Sequence, residues 1–340
     1  MKQLFSHLEQ AARHHPQRIL FPEGDDPRIL SAVSYLVRRN LVCPILFAKR
    51  SSLLRQWPAS PSLLKKVVVL DPSMLDLSRH SSCLAYVHDF IAIRKRKGKP
   101  ISLALAKKLF KDPMYFAVMM LSCGEVDGIV AGATWPTPRT LRPAFQVLRK
   151  KKELVSSFFL MKHKGEFYFF ADCAINVNPS STDLASIALS TAQSAKNLLH
   201  IQPRVALLSF STHGSTVHPL SEKVREAALL VHKKDPLLLV DGELQADAAL
   251  KPTIGKYKSG QCFFSKPANV LIFPSLEAAN IAYKLVEWLG HYEAVGPISQ
   301  NLAKPVNDLS RGCTAEDIIN VSVITALQAQ QSRRLVSEVV

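Results

Sequence analysis

Near the end of the chain, the segment PVNDLSRGCTAEDI sets a hydroxyl and a guanidinium side by side at Ser310 and Arg311, and a carboxylate at Asp317. An apolar run, IINVSVITAL, follows directly. These group types can work together. A hydroxyl can hydrogen-bond a reacting oxygen, a guanidinium can grip an anion by two oxygens at once, and a carboxylate can take a proton. The same letters also spell a helix start, with Thr314 as N-cap and Asp317 at the third helical position of a capping box. The two readings are compatible, because the free N–H groups of a helix N-terminus favour a bound anion. On one continuous helix, Ser310 and Asp317 would be separated by a rise of about 10 Å. The reading therefore puts Ser310 in the loop ahead of the helix, with a substrate bridging the pair.

Other segments of the same character follow runs that read as strands: PEGDDPR after RILF, GATWPTPRTLRP after DGIV, ADCAINVNP after FYFF, SFSTHGS after RVALL, and DGELQADAA after LLLV. In a parallel sheet such loops gather at the carboxyl edge, where ligands bind, and the reading expects all five to converge on one crevice.

The elements that must carry these loops are legible. Strands are predicted at 18–23, 43–48, 66–70, 127–132, 167–172, 204–210, 237–241 and 268–274. Between them lie amphipathic helical patterns such as DPRILSAVSYLVRRN, TDLASIALSTAQSAKNLL, SEKVREAALLVH and LEAANIAYKLVEWL. Short apolar strands alternating with such helices predict α/β architecture with mostly parallel sheets flanked by helices. At 340 residues two domains are expected, with a division near the basic stretch LRKKKELVSS at about residue 150.

Composition narrows the class. No stretch of about 18 uninterrupted apolar residues occurs, so no membrane span is expected. The N-terminus lacks the apolar core of a signal peptide, and the six cysteines form no CxxC pair, which predicts reduced thiols and a cytoplasmic protein without a metal site. No GxxxxGK[ST] loop and no GxGxxG after a strand occurs. The formal net charge of +16, with clusters at RKRKGK, RKKK, KHK and HKK, calls for an anionic partner. No nucleic-acid motif accompanies those runs and aromatics do not interleave with them, so nucleic acid is the weaker choice.

With these residues in view, DGELQADAALKP, SFSTHGS, FADCAINVNP, LEAANIAYKLVEWLGHYEAVGPI and above all PVNDLSRGCTAEDI resemble the phosphate acetyltransferases (phosphotransacetylases), in their short form. The resemblance runs from FPEGDDPR to the C-terminal helix. It implies reversible acetyl transfer, acetyl-CoA plus phosphate exchanging with coenzyme A plus acetyl phosphate, with coenzyme A as co-substrate and no bound cofactor. It implies two domains resembling those of isocitrate and isopropylmalate dehydrogenases, an active cleft between them, and a homodimer. One discontinuous domain would comprise residues 1–150 plus 301–340, with 151–300 inserted as the other.

By the same resemblance Asp317 is the base that takes the thiol proton, and Ser310 hydrogen-bonds the reacting carbonyl. A thiol is mostly protonated at neutral pH and an ordinary Asp is a weak base for it, so desolvation of the acid or transfer concerted with sulfur attack is required. Arg311 and Arg142 are implied for the phosphoryl end, and Arg28 and Arg94 for the phosphates of coenzyme A. Cys173 falls near the site as a bystander, since direct attack by the coenzyme A thiol needs no protein nucleophile. The chain departs from the family's pattern at Trp135-Pro136-Thr137-Pro138-Arg139 and at His213, where Lys is usual. Arg139 is expected to add to anion binding. The rival readings are a phosphate butyryltransferase and a non-catalytic acetyl-CoA-sensing module of the same fold.

Overall fold

The computed structural model describes residues 2–75, 81–260 and 264–337; Cys262 lies outside them. Contacts divide the chain into two compact units. One is Lys152–Asn301, and the other joins Lys2–Lys151 to the segment from Leu302 onward.

The joined unit begins with α1 (Lys2–His14), β1 (Gln17–Phe21), α2 (Pro27–Arg38) and β2 (Val42–Phe47). Short helices α3 (Arg50–Gln56) and α4 (Pro61–Leu64) lead to β3 (Val68–Leu70). Then come α5 (Ser81–Arg96), α6 (Leu103–Leu109), α7 (Pro113–Cys123), β4 (Gly128–Ala131) and α8 (Thr137–Leu148). After the inserted unit, β11 (Val306–Asp308) and α14 (Ala315–Ser337) complete it. Its sheet has the order β11-β4-β1-β2-β3, and every neighbouring pair is parallel. Buried strands need side chains that are apolar on both faces, and Ile19, Leu20, Phe21, Ile129 and Val130 meet that demand. The C-terminal helix α14 packs on α2, β1 and β4, burying Ile318, Val321, Ile324 and Leu327. Its polar face is tied down too: Asn307 Nδ2 donates to Thr325 Oγ1 and to Gln328 Oε1, each at 2.8 Å.

The inserted unit runs β5 (Ser156–His163), β6 (Glu166–Ala171), α9 (Ser181–Leu199), β7 (Arg204–Leu208), α10 (Pro219–Lys234) and β8 (Leu239–Leu244). It continues through α11 (Ala246–Leu250), α12 (Pro252–Ser259), β9 (Val270–Ile272), α13 (Leu276–Trp288) and β10 (Glu293–Gln300). Its sheet has the order β10-β5-β6-β9-β7-β8. The four strands from β6 to β8 are parallel, whereas β10–β5 and β5–β6 are antiparallel. The α/β architecture of mostly parallel sheets is thus as read from the sequence. The two antiparallel additions, β5 and β10, were not.

Among the described residues no helix is long and apolar enough to cross a membrane.

Candidate active site

The five reactive-looking loops fall into two sets. PEGDDPR and GATWPTPR join the NDLSRG loop at the carboxyl edge of the first sheet, after β1, β4 and β11. ADCAINVNP, SFSTHGS and DGELQ belong to the second sheet, at the ends of β6, β7 and β8.

In the first set, the β11–α14 loop carries Ser310 and Arg311, both exposed. Ser310 stands outside the helix, in a tight turn where Cys313 N–H donates to Ser310 O at 2.9 Å and Gly312 N–H to Ser310 Oγ at 3.3 Å. The capping box forms in full. Asp317 N–H donates to Thr314 Oγ1 at 3.2 Å, and Asp317 Oδ2 accepts from Thr314 N–H at 2.8 Å and from its hydroxyl at 2.9 Å. Among the described residues Asp317 Oδ1 receives no hydrogen bond. One carboxylate oxygen therefore caps the helix while the other stays open, half-exposed, at its mouth.

The strand end beneath this loop holds a second carboxyl that the sequence reading passed over. Asp308 is buried, and burial pushes its carboxyl up to about 6 although Thr137 Oγ1 donates to its Oδ2 at 2.5 Å. Among the described residues its buried Oδ1 makes no well-aligned hydrogen bond, though Thr140 and Leu309 N–H lie close enough to favour its charged form. Gly132, with φ +105°, lies against that oxygen; a Cβ there would overlap Asp308 Oδ1 and stand 2.8 Å from Leu309 N. Only glycine suits both the backbone angle and the space.

Glu23, also buried and also missed, grips the β4–α8 loop. Its carboxylate accepts from the N–H groups of Gly132 (2.6 Å), Ala133 (3.1 Å), Thr134 (2.7 Å) and Trp135 (3.0 Å), and from the Thr134 hydroxyl (2.5 Å). A row of converging N–H groups makes an anion nest, and here an internal carboxylate fills it. The only sequence signal was an acid placed two residues after a buried strand.

The arginines separate into two kinds. Arg28 is wholly engaged. Its Nε donates to Asp26 Oδ1 at 3.1 Å, Nη1 to Arg311 O at 2.8 Å and Cys313 O at 3.1 Å, and Nη2 to Asp26 Oδ2 and Ala133 O, each at 2.8 Å. No N–H is left over for a phosphate of coenzyme A, the role the resemblance implied. Arg139 is partly engaged, pairing with Asp112 at 2.9 Å and lying 4.0 Å over the Trp135 ring. That gives Trp135 a task, a platform beneath Arg139.

Arg94, Arg142 and Arg311 are the other kind. Among the described residues none of their guanidinium groups has a hydrogen-bond or ion-pair partner, and the Nε of Arg94 is buried without one. Arg94, from the last turn of α5, and Arg142, from α8, both lie within electrostatic reach of Tyr115 of α7.

In the inserted unit, Cys173 is buried within an apolar cluster that includes Phe159, Met161, Phe170 and Phe273, and its Sγ donates to Phe170 O at 3.3 Å. Burial pushes its thiol well up, which suits an inert bystander. His213 pairs with Asp241, Nε2 to Oδ1 at 3.0 Å. At the carboxyl ends of β7 and β9 lies an apolar cavity of about 390 Å³ lined by Leu208, Phe210, Leu220, Phe273 and Ala278, with Asn178 and Lys223 on its wall. The ammonium of Lys223 is held by Asn178 Oδ1 at 3.2 Å and Pro274 O at 3.0 Å.

One loop and the helix mouth after it, offering a hydroxyl, an unpartnered guanidinium and an open carboxylate oxygen at the carboxyl edge of a parallel α/β sheet, suit a transferase acting on anionic substrates. The comparisons agree: the profile described as "Phosphate acetyl/butaryl transferase" matches residues 3–326, and the chain belongs to that family. It is 42% identical over 331 residues to a phosphate acetyltransferase of Bacillus subtilis, covering 97% of this chain and 100% of the relative. One from Acetivibrio thermocellus is 42% identical over 338 residues, with 96% and 98% covered. The crystal structure of a phosphotransacetylase from Streptococcus pyogenes superposes with a TM-score of 0.86 at 38% identity, covering 97% of this chain and 99% of that one. The resemblance noted in the motifs thus holds along nearly the whole chain.

Proposed function

We propose that this protein is a phosphate acetyltransferase: it moves an acetyl group reversibly between acetyl phosphate and coenzyme A. The observation that carries the reading is the β11–α14 loop, where Ser310, Arg311 and the half-exposed Asp317 share one turn and one helix mouth. Asp317 accepts the thiol proton as sulfur attacks the acetyl carbonyl; the C–S bond forms, the C–O bond to phosphate breaks, and phosphate leaves. Ser310 hydrogen-bonds the carbonyl oxygen as charge develops on it. Arg311 holds the departing anion by two oxygens. Since Asp317 is only half-buried in the free protein, proton removal is concerted with attack, or substrate completes the desolvation.

Arg94 and Arg142 receive further phosphate groups, which their unpartnered guanidinium groups support. The apolar cavity beside Lys223 has room for a non-reacting part of coenzyme A. A homodimer fits α13, which buries only Ala279 while Ile281, Leu285, Trp288 and the adjoining Leu289 are 52–76% exposed along one stripe. A second copy of the same stripe would cover it.

The test is a coupled assay of acetyl-CoA formation from acetyl phosphate. Wild type should turn over, and Asp317→Asn should lose at least about a hundredfold in kcat with little change in KM for acetyl phosphate. Undiminished turnover in the variant would refute Asp317 as the base. Comparing acetyl with butyryl phosphate at equal concentration separates this reading from a phosphate butyryltransferase, and an inert wild type would point to an acetyl-CoA-sensing module.

A further inference from the structure

We infer that Arg28 is a positioning residue for acetyl transfer and does not bind a substrate phosphate; together with Glu23 it makes the segment 23–28 a frame that registers the loop bearing Ser310 and Arg311 against the β4–α8 loop. This rests on the transferase reading above. The geometry is specific. A guanidinium carries five N–H donors in a fixed planar fork, and all five of Arg28's are spent: two on Asp26, one on Ala133 O, one on Arg311 O and one on Cys313 O. Binding a phosphate with two oxygens would mean breaking at least two of these bonds. Its charge is spent as well, because Asp26 pairs with it at 2.8 Å and is itself only 9% exposed. The hydrogen bond from Arg28 is the largest influence holding the Asp26 carboxyl below its ordinary range.

What Arg28 holds matters more than how firmly. Arg311 O and Cys313 O both lie in the turn that starts at Ser310, which is closed by the Cys313 N–H to Ser310 O bond. Fixing those two carbonyls fixes where the Ser310 hydroxyl and the Arg311 side chain leave the backbone. Ala133 O belongs to the β4–α8 loop, whose N–H groups from Gly132 to Trp135 are taken by Glu23. One loop is therefore held from both sides, through its donors by Glu23 and through a carbonyl by Arg28. The other is tied to it by the same guanidinium. Asp26, the remaining member, also caps α2 by accepting from Arg28 N–H at 2.8 Å, so the frame is anchored to a helix. Misplacing reacting groups by about 1 Å can cost about a hundredfold in rate without touching affinity.

The experiment compares wild type with Arg28→Met, Arg28→Lys and Asp26→Asn, measuring kcat, KM for both substrates, coenzyme A binding by calorimetry, and the urea midpoint. Positioning predicts a kcat loss of about ten- to a hundredfold for Arg28→Met, with coenzyme A affinity within about threefold of wild type. Arg28→Lys should lose nearly as much kcat, since an ammonium cannot reach three loops at once. Asp26→Asn, which loosens the frame, should lower kcat several-fold. Direct phosphate binding predicts the reverse pattern: retained kcat, at least tenfold weaker coenzyme A binding in Arg28→Met, partial recovery in Arg28→Lys, and tighter binding in Asp26→Asn, where the neutralising charge is gone. That pattern would overturn the inference. If Arg28→Met fails to fold, the Arg28→Lys and Asp26→Asn pair still decides it. An inactive wild type would instead refute the transferase reading itself.

Discussion

Asp308 offers a quantitative check on the structure beneath the site. Burial raises its carboxyl to about 6, against roughly 3.9 for an unperturbed Asp. Between these two values the folded state holds a proton that the unfolded state has lost, so stability falls as pH rises from about 4 to about 6 and levels off above. Linkage puts the cost near 1.5 kcal/mol at pH 5 and near 2.9 kcal/mol at pH 8, a change of about 1.4 kcal/mol. Asp308→Asn removes the ionisation while leaving an oxygen for the Thr137 hydroxyl. The amide brings its own pH-independent cost, because the buried position of Oδ1 would hold an NH₂ group. The difference between pH values cancels that cost. Urea unfolding of both proteins at pH 5 and pH 8 should therefore show the variant gaining about 1.4 kcal/mol on wild type over that interval. A gap that stays constant within about 0.4 kcal/mol would refute the claim that this carboxyl is desolvated in the fold.

Gly132→Ala should destabilise by more than about 2 kcal/mol in the same urea assay, since φ +105° and the contact with Asp308 and Leu309 both exclude a Cβ; an unchanged midpoint would contradict the packing described. If the exposed α13 stripe is the proposed seam between two copies, Leu285→Glu combined with Trp288→Glu should halve the mass seen by sedimentation at micromolar concentration with little loss of urea stability, because both side chains are largely exposed; a monomeric wild type or an unaltered mass would refute that seam.

How much of this was legible in the letters depended on range. Strands whose own residues are continuously apolar, such as RILF and RVALL, declared themselves. The β5 strand SSFFLMKH was hidden by the basic stretch that precedes it and by Lys162, whose charge is met by Glu293 of β10 at 2.7 Å. The β10 strand EAVGPISQ carries a Gly-Pro pair, which speaks against a strand; it survives because it is the sheet's edge and shifts register between Val295 and Ile298. β11 is three residues long, two of them polar, and only pairing with β4 makes it a strand.

The site shows the same division. Ser310, Arg311 and Asp317 stood out because they share one short segment. Glu23 and Asp308 did not, because their partners lie far along the chain: the loop that Glu23 holds starts 109 residues on, and Thr137 is 171 residues from Asp308. The capping box was visible as a local pattern; that one carboxylate oxygen remains open beside it was not.

The arginines make the general point about charge. A surplus of +16 says only that anions are attracted. Within the unit that carries Ser310 and Asp317, the fold spends some of that surplus internally: Arg18 on Asp127, Arg28 on Asp26, Arg139 on Asp112. Each of these ion pairs has its carboxylate no more than 28% exposed. Among the described residues Arg94, Arg142 and Arg311 form no such ion pair, which leaves their charge available to an incoming polyanion. Two arginines can therefore look equally suited to phosphate in the sequence, as Arg28 and Arg142 did, and differ in the fold: Arg28 has an aspartate two residues away to neutralise it, and among the described residues Arg142 has no ion-pair partner. On the proposed function, the cations left to bind substrate are those that the fold has not already paired with a carboxylate.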